Sequence, residues 1–405
     1  MSQSAATDDA HLLKFGAGQS PRRKEDRALL QGLGRYTDDV NLPGQLQAVM
    51  VRSNHARGTI RAIAIAIATE PALRMPGVVA AFTGADLQSG GVRPMPPGVT
   101  RPNCDGTSMR WPAWYALPTE RVHYVGEAVA FVVAETAAAA RDAAEAVTVE
   151  IDALPAVTQP RRAAAADAPL IHEEFPGNIA LDFHSGDSEA VTAAFAGAAH
   201  VTRLDLANTR IVVNPMEPRA CVATFDTATG HITLYASTQG TVVTRNQTAD
   251  ALGIERANLR VITGNIGGSF GMKAHPFPED ICIAFAARAL QLPVKWAATR
   301  AESFLADTHG RAHDILGELA LDKDGHFLAL RFSGFGNVGA YLTGGGIIPV
   351  TINAARNTVS VYRTPLIEVA TKMRVHEHRA GGRLSRQWTA GGQLLCRTPD
   401  RHGGR

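Results

Sequence analysis

The sequence predicts an α+β fold of two domains with connecting segments. Short runs rich in β-branched residues alternate with Ala-rich stretches, and Gly, Pro and Asn separate them. The length of 405 residues fits two or three domains at roughly 150 residues each. Apolar residues make up 45% and charged residues 19% of the chain, so intrinsic disorder is excluded for most of it.

The first part of the chain predicts a polar arm over residues 1–31 and a compact α+β domain over residues 32–154. In order, the domain contains a strand, a second strand, a short helix and a third strand. A further strand then leads into an Ala-rich helix for which Thr136 is the expected N-cap, because its hydroxyl can accept a free N–H of the first turn. A last short strand ends near Leu154.

The second part begins after residues 155–176, whose Pro and Ala content predicts a linker over the surface. A second α+β domain is expected over residues 177–373. It contains two hairpins, which turn at Thr229-Gly230 and at Asp324-Gly325. Two helices are also predicted: one ends at Gly253, and one begins at Pro278, where the missing N–H has no cost.

Composition narrows the function classes. The formal net charge of +2 gives no reason to expect binding to nucleic acid. The longest apolar runs are seven residues, well below the roughly 18 that a membrane helix needs, and no secretory signal is evident. We therefore expect a cytoplasmic protein without a membrane span. The four cysteines lie far apart, which argues against a zinc site, an iron-sulfur cluster or a disulfide framework in this chain.

Gly267-Gly268-Ser269-Phe270-Gly271 matches the G-x-S-x-G pattern of a nucleophile elbow and follows a predicted strand. An elbow needs a helix directly after the serine, whereas Pro276 and Pro278 postpone the helix here. Serine hydrolysis by Ser269 stays open as a minor alternative. The other readings are a bare-backbone cradle for an anionic or electron-rich ligand, and a glycine turn without a ligand.

Three further sequence patterns are weaker evidence for a functional site than the glycine-rich segment. Gly334–Gly339 fits the dinucleotide fingerprint G-x-G-x-x-G, but no helix follows, so a glycine-punctuated strand is the better interpretation. Gln239 lies at the entrance to a predicted helix, where its amide can donate to a ligand oxygen or cap its own loop. His376-Glu377-His378 with His402 has the spacing of metal ligands but lies in an anomalous tail, so we predict no metal ligands in this chain.

Taken together, several segments in collinear order resemble the large, molybdenum-binding subunit of the xanthine dehydrogenase, aldehyde oxidase and carbon monoxide dehydrogenase family. The resemblance implies a hammerhead-like α/β domain followed by an incomplete molybdopterin-binding α+β domain. It implies oxidative hydroxylation of an aldehyde or N-heterocycle with oxygen from water. The segments are KEDRALLQGLGRYTDDVNLPGQ, PGVVAAFTGADL, YVGEAVAFVVAE, NPMEPRACVATFD, ASTQG, NIGGSFGMK, ATRAESF and GNVGAYL.

The resemblance also implies cofactors and partners. The expected cofactor is molybdenum-molybdopterin, in its cytosine dinucleotide form, with FAD on a medium subunit and 2Fe-2S clusters on a small subunit. Ala274 follows the loop lysine where purine-oxidising members carry glutamate, which disfavours xanthine as substrate. Ser269 replaces a glycine common in the family. The resemblance implies catalytic roles for Gln239 and Phe270, and cofactor-binding roles for Gln239, Gly240, Gly267, Gly268, Ser269, Phe270 and Gly271.

The tail over residues 374–405 differs from the rest of the chain, with seven Arg against two acidic residues and no periodic apolar pattern. The resemblance ends at Met373, and one permitted reading of a shifted frame gives a family-like Tyr-Arg-Gly segment. We therefore expect a frameshift, a disordered tail and a truncated, inactive copy. The family's general-base glutamate and second molybdopterin-binding domain would be missing. A non-catalytic fragment that binds partner subunits is the alternative.

Overall fold

A computed structural model describes residues 23–61, 67–68, 70–343 and 345–378. The helices of this part are α1 (Asp26–Leu30), α2 (Glu70–Leu73), α3 (Gly84–Ser89), α4 (Ala137–Glu145), α5 (Pro160–Ala163), α6 (Ser188–Ala196), α7 (Thr241–Leu252), α8 (Pro278–Leu290), α9 (Arg300–Ala306) and α10 (Ile352–Asn357). No helix of the described part is long and apolar enough to cross a membrane.

The strands of the same residues are β1 (Leu46–Arg52), β2 (Gly58–Ile60), β3 (Ile67–Ala68), β4 (Val78–Thr83), β5 (Arg121–Val122), β6 (Ala128–Ala134), β7 (Thr148–Val149), β8 (Ile151–Ala153), β9 (Ile179–Ser185), β10 (His200–Val212), β11 (Ala220–Asp226), β12 (His231–Ala236), β13 (Leu259–Ile262), β14 (Val294–Ala297), β15 (His309–Leu321), β16 (Phe327–Gly339) and β17 (Leu366–Val375). The second predicted strand, residues 60–68, lies partly outside the described residues.

The largest sheet joins the two predicted domains. Its seven strands lie in the order β13-β12-β11-β14-β1-β6-β4. The junction is the parallel pairing of β1 with β14, in which Leu46 lies opposite Val294. Helices α7 and α8 cover one face of this sheet, and α4 covers the other face at β1 and β6. The local patterns of the sequence did not indicate this shared sheet.

Local signals in the sequence agree with the observed ends of the helices. The Thr136 side chain accepts a hydrogen bond from the N–H of Ala139 at the start of α4. Gly253 follows α7 with φ +66°, the left-handed conformation that glycine adopts without a Cβ penalty. Helix α8 begins at Pro278. The predictions for these three helix ends are confirmed.

A second sheet has five strands in the order β10-β15-β16-β17-β9. The glycine-rich stretch Gly334–Gly339 lies within β16, as the strand interpretation predicts. A Cβ at Gly334 would overlap the carbonyl oxygen of Asp314 on β15. The glycine at this position therefore permits close contact between strands, and no helix follows to form a dinucleotide site.

The segment over residues 155–176 is not a linker that runs only over the surface. It contains α5 and places the fully buried side chains of Ile171 and Phe175 in the core of the five-stranded sheet, where they belong to the same cluster as Phe332 and Val369. The expectation was wrong because Pro and Ala content describes the backbone of a segment but not the few large side chains that anchor it.

The expectation of disorder from residue 374 is wrong for the first five residues of the tail. Arg374 and Val375 complete β17 and pair with β16. Glu377 is buried, its Oε2 accepts the N–H of Val157 at 2.6 Å, and its Oε1 lies 3.4 Å from Nε of Arg57. The rest of the tail, including His402, lies outside the described residues.

A buried ion network connects β1 to the second part of the chain. Arg52 of β1 bonds Glu279 of α8 and Glu302 of α9, each at 2.6 Å. Arg219 of β11 bonds Glu279 at 2.7 Å and Asp307 at 2.6 Å. Although burial opposes ionisation, the charges of the two arginines hold the pKa of Glu279 well below its usual range.

We predict that Arg219→Met lowers the free energy of unfolding by about 3–5 kcal/mol, because Glu279 and Asp307 would keep their burial and lose a cationic partner. Chemical denaturation of the purified chain measures this change. The matched control is Arg256→Met, which removes an ion pair with Asp250 that is largely exposed and should cost less than about 1 kcal/mol. Equal losses in the two variants would contradict the assignment.

Buried histidines predict acid sensitivity. Burial lowers the pKa of His275 to about 4 and of His313 to about 3. Because the unfolded chain takes up these protons near pH 6.5 and the folded chain resists them, stability is complete above pH 6.5 and falls toward pH 4. Burial raises the pKa of Asp280 to about 6, which acts in the opposite direction, so a comparison of variants is the sharper test.

We expect His275→Leu to flatten the dependence of unfolding free energy on pH between 6.5 and 4 by up to about 1.4 kcal/mol per pH unit, the effect of one proton. Denaturation midpoints of the wild-type chain and of His275→Leu, measured between pH 6.5 and pH 4, test this expectation. Parallel curves for the two proteins would show that His275 takes up its proton equally in the folded and unfolded chains.

Candidate functional site

The site lies where two neighbouring strands of the large sheet end. Strands β12 and β13 run parallel, with Tyr235 opposite Ile262. Because parallel strands end at the same edge of a sheet, the segments after them lie side by side. Gln239 is in the first segment and Gly267–Gly271 are in the second. The fold thus brings together the two motifs that the sequence singles out.

Gln239 spans the space between these segments. Its backbone N–H donates to the carbonyl of Lys273 at 2.9 Å. Its side-chain Oε1 accepts the N–H of Gly271 at 3.2 Å and a hydrogen bond from the hydroxyl of Ser269. The carboxamide is therefore attached to the glycine loop through its oxygen, and the side chain is exposed.

The glycine loop has backbone conformations that bulky residues rarely adopt. Gly268 has φ +105°, Phe270 has φ +51° and Gly271 has φ +97°. A Cβ at Gly267 would lie 2.6 Å from Cβ of Glu217. Glycine is thus required at position 267 by close packing and at positions 268 and 271 by backbone conformation.

Three successive donors of this loop are available. Within the described chain, the N–H groups of Gly268, Ser269 and Phe270 donate to no other residue, whereas those of Gly267, Gly271 and Lys273 do. Successive free N–H groups in a glycine-rich turn attract anions and electron-rich oxygens. The arrangement can therefore hold a ligand with several oxygen atoms.

A buried ion pair supports the loop from below. Lys273 Nζ donates to Oε2 of Glu217 at 2.9 Å, to its backbone carbonyl at 3.0 Å, and to the hydroxyl of Ser237 at 2.7 Å. Oε2 of Glu217 also accepts the N–H of Gly267 at 2.9 Å. Burial lowers the pKa of Lys273, and the charge of Glu217 acts against this. The pair fixes the start of the loop relative to the end of β12.

Exposed apolar side chains surround the site. They come from the segments after β12 and β13 and from the segment directly before β11. Met216 is 89% exposed, Val242 in the first turn of α7 is 61% exposed, and Phe270 is 55% exposed. Exposed apolar residues beside unsatisfied polar groups are typical of a binding surface.

Both motif segments predicted from the sequence therefore meet in one place, with Gly240 at the N-cap of α7. The sequence did not assign roles to Glu217 and Lys273, although both lie in segments on which the family resemblance rests. Their sequence positions could have indicated the pair, because each is a charged residue inside an otherwise apolar or glycine-rich stretch. A charged residue that becomes buried there needs a partner of opposite charge.

Ser269 does not have the surroundings of a hydrolytic nucleophile. Its hydroxyl donates to Oε1 of Gln239 and accepts the N–H of Lys273 at 3.1 Å. A nucleophilic serine needs a base within hydrogen-bond reach, and neither group is one. The helix that an elbow requires is also displaced, because α8 begins at Pro278.

Two family models match the chain. Residues 31–155 match the model described as aldehyde oxidase and xanthine dehydrogenase, a/b hammerhead domain. Residues 171–382 match the model described as molybdopterin cofactor-binding domain. The second match extends beyond Met373, where the sequence resemblance was expected to end.

Curated relatives agree with these models. The carbon monoxide dehydrogenase large chain of Hydrogenophaga pseudoflava is 34% identical over 83% of this chain and 42% of its own. The nicotine 6-hydroxylase large subunit of Paenarthrobacter nicotinovorans is 33% identical over 80% of this chain and 38% of its own. The chain thus spans about two fifths of the length of the curated relatives it matches.

Solved structures confirm the predicted fold. The reconstituted CO dehydrogenase from Oligotropha carboxidovorans superposes with a TM-score of 0.82 and 30% identity, over 91% of this chain and 46% of that one. Quinoline 2-oxidoreductase from Pseudomonas putida 86 superposes with a TM-score of 0.81 and 29% identity, over 94% of this chain and 47% of that one. The chain therefore belongs to the molybdopterin-dependent oxidoreductase family that includes the large subunits of carbon monoxide dehydrogenase and xanthine dehydrogenase.

Proposed function

We propose that this chain provides the molybdenum-binding site of a molybdenum hydroxylase large subunit. The reaction class is oxidative hydroxylation of an aldehyde or N-heterocycle with oxygen from water. The observation that carries the proposal is the glycine loop beside Gln239, with three available N–H groups and an amide held at its edge.

The residues present fit molybdopterin. Its oxygen-rich, anionic character suits the N–H groups of Gly268, Ser269 and Phe270 and the amide Nε2 of Gln239. The absence of a Cβ at Gly267 lets the loop pack closely against Glu217, 2.6 Å from where a Cβ would lie, and this packing supports the N–H groups that follow. When bound, the cofactor supplies a two-electron redox centre. Gln239, Gly240 and Gly267–Gly271 would hold it.

Substrate choice rests on two residues. The exposed ring of Phe270 offers an apolar face to a planar organic substrate. The resemblance implies a glutamate directly after the loop lysine in purine-oxidising members, whereas this chain has Ala274 there, so an aldehyde or a non-purine N-heterocycle is favoured. The named substrates of relatives include nicotine and quinoline, both N-heterocycles.

Partner subunits follow from electron balance. Two electrons released by the substrate must leave the site, and the described residues contain three cysteines that form no cluster. We propose that 2Fe-2S clusters and FAD on a small and a medium subunit accept these electrons, that the pterin is the cytosine dinucleotide form, and that the complex is cytoplasmic.

Cofactor retention tests the proposal directly. In a bacterial host that makes molybdopterin, we expect the purified 405-residue chain to retain molybdenum and pterin. Gly267→Ala should lower this occupancy by about tenfold or more, because a Cβ 2.6 Å from Glu217 forces the loop to move. Elemental analysis measures the molybdenum content and pterin fluorescence measures the pterin content of the wild-type chain and of the variant.

The matched control is Gly230→Ala in the β11–β12 hairpin. Gly230 has φ +71°, so alanine there carries backbone strain that Gly267→Ala does not, but a Cβ at Gly230 meets no atom within 4 Å. This variant should retain the wild-type cofactor content. A wild-type chain without molybdenum or pterin would contradict the proposal and favour a non-catalytic role in binding partner subunits.

Two assays concern catalysis by the isolated chain. We expect no labelling of Ser269 by a fluorophosphonate, because its hydroxyl contacts no base. We also expect no substrate-dependent dye reduction, because Oε2 of Glu217, the carboxylate oxygen beside the loop, already accepts hydrogen bonds from Lys273, Ser237 and Gly267, and its Oε1 is buried away from a ligand at the surface. Labelling that disappears in Ser269→Ala, or dye reduction with an added aldehyde, would contradict the respective expectation.

A further inference from the structure

The side-chain amide of Gln239 can present either of two groups to a ligand. An amide carries an acceptor oxygen and a donor NH₂, which exchange places when the terminal torsion turns by half a revolution. Gln239 is exposed, so close packing does not decide between the two orientations. Hydrogen bonds from the glycine loop must decide instead.

The backbone of Gly271 favours one orientation. Its N–H points at Oε1 of Gln239 across 3.2 Å. If the amide turned over, this N–H would face an NH₂ group, and two donors cannot bond each other. At this distance the bond is long for N–H···O, so Gly271 alone is a modest constraint.

The hydroxyl of Ser269 supplies the second constraint. A serine hydroxyl has one proton to donate, and here its oxygen already accepts the N–H of Lys273 at 3.1 Å. Its proton goes to Oε1 of Gln239, the acceptor that the described residues offer it. A turned-over amide could donate to the second lone pair of the hydroxyl, but it would leave this proton without a described acceptor. Lys273 is itself anchored through the buried ion pair with Glu217, 2.9 Å away. The N–H of Lys273 thus holds the hydroxyl oxygen of Ser269 in place from the buried side of the loop.

We propose that Ser269 is a positioning residue that orients the Gln239 carboxamide with its oxygen toward the loop and its NH₂ toward the ligand. Ser269 thereby makes Gln239 a hydrogen-bond donor to an electron-rich oxygen of the ligand. The inference rests on the proposed function for the identity of that ligand. The orientation of the amide is a property of this chain alone.

Nuclear magnetic resonance of the full chain, without cofactor, tests the orientation. The chain is deuterated and labelled with carbon-13 and nitrogen-15 in glutamine only, and the Gln239 signals are identified by their loss in Gln239→Asn. Two hydrogen bonds to Oε1 shift the side-chain carbonyl signal downfield and keep the NH₂ signals dispersed.

In Ser269→Ala and Ser269→Gly we expect the carbonyl signal to move upfield and the ratio of the two amide orientations to change by about fivefold, the effect of one ordinary hydrogen bond. Ser269→Thr keeps the hydroxyl and should restore the wild-type signals. The matched control is Ser303→Ala on α9, which removes a buried hydroxyl that bonds no described residue and should leave Gln239 unchanged.

Two outcomes would overturn the proposal. One is a Gln239 signal that is the same in wild type, Ser269→Ala and Ser269→Gly. The other is a signal that follows side-chain volume, unchanged in Ser269→Ala and moved in Ser269→Thr. These spectra need no cofactor. A chain that fails to retain molybdenum therefore contradicts the proposed function, and the orientation of the Gln239 amide can still be measured.

Discussion

Glu279 is the carboxylate on which the arrangement of the large sheet depends. It lies in the first turn of α8 and bonds both Arg52 of β1 and Arg219 of β11, and Arg52 and Glu279 are 227 residues apart in sequence. Arg219 also lies 3.8 Å above the ring of Phe277, directly before α8. A buried carboxylate with two guanidinium partners tolerates little displacement. The network therefore fixes α8 against the sheet, and with it the loop that leads from Gly271 into the helix.

The same principle operates on a smaller scale beneath the glycine loop. Lys273 and Glu217 are both largely removed from water, with side chains 0% and 9% exposed, so their attraction is screened far less than that of a surface pair. Oε2 of Glu217 also accepts the N–H of Gly267, at the start of the loop. The ion pair thus stabilises the position of an uncharged backbone N–H group of the loop. A loop in which three of five residues are glycine needs such support, because glycine otherwise has the greatest backbone freedom.

Features governed by neighbouring residues could be predicted from the sequence. Thr136, Gly253 and Pro278 each mark a helix end through contacts within one turn. The pairing of β1 with β14 and the Lys273–Glu217 pair, 56 residues apart, could not be predicted, because partners that are distant in sequence leave no local period. For the same reason residues 155–176 and 374–378 were misjudged. Their composition resembles a loop, and two or three side chains that reach a core formed elsewhere decide their structure.

The position of β1 between β14 and β6 has a consequence for how the chain reaches its structure. Synthesis proceeds from the N-terminus, so β1, β4 and β6 can pair with each other long before β14 exists. During that interval one edge of β1 has no neighbour, and an open strand edge can pair with another chain. Contacts between distant segments also form slowly, because a large loop must close first. The N-terminal half is therefore most exposed to misassembly while the second half is still being synthesised.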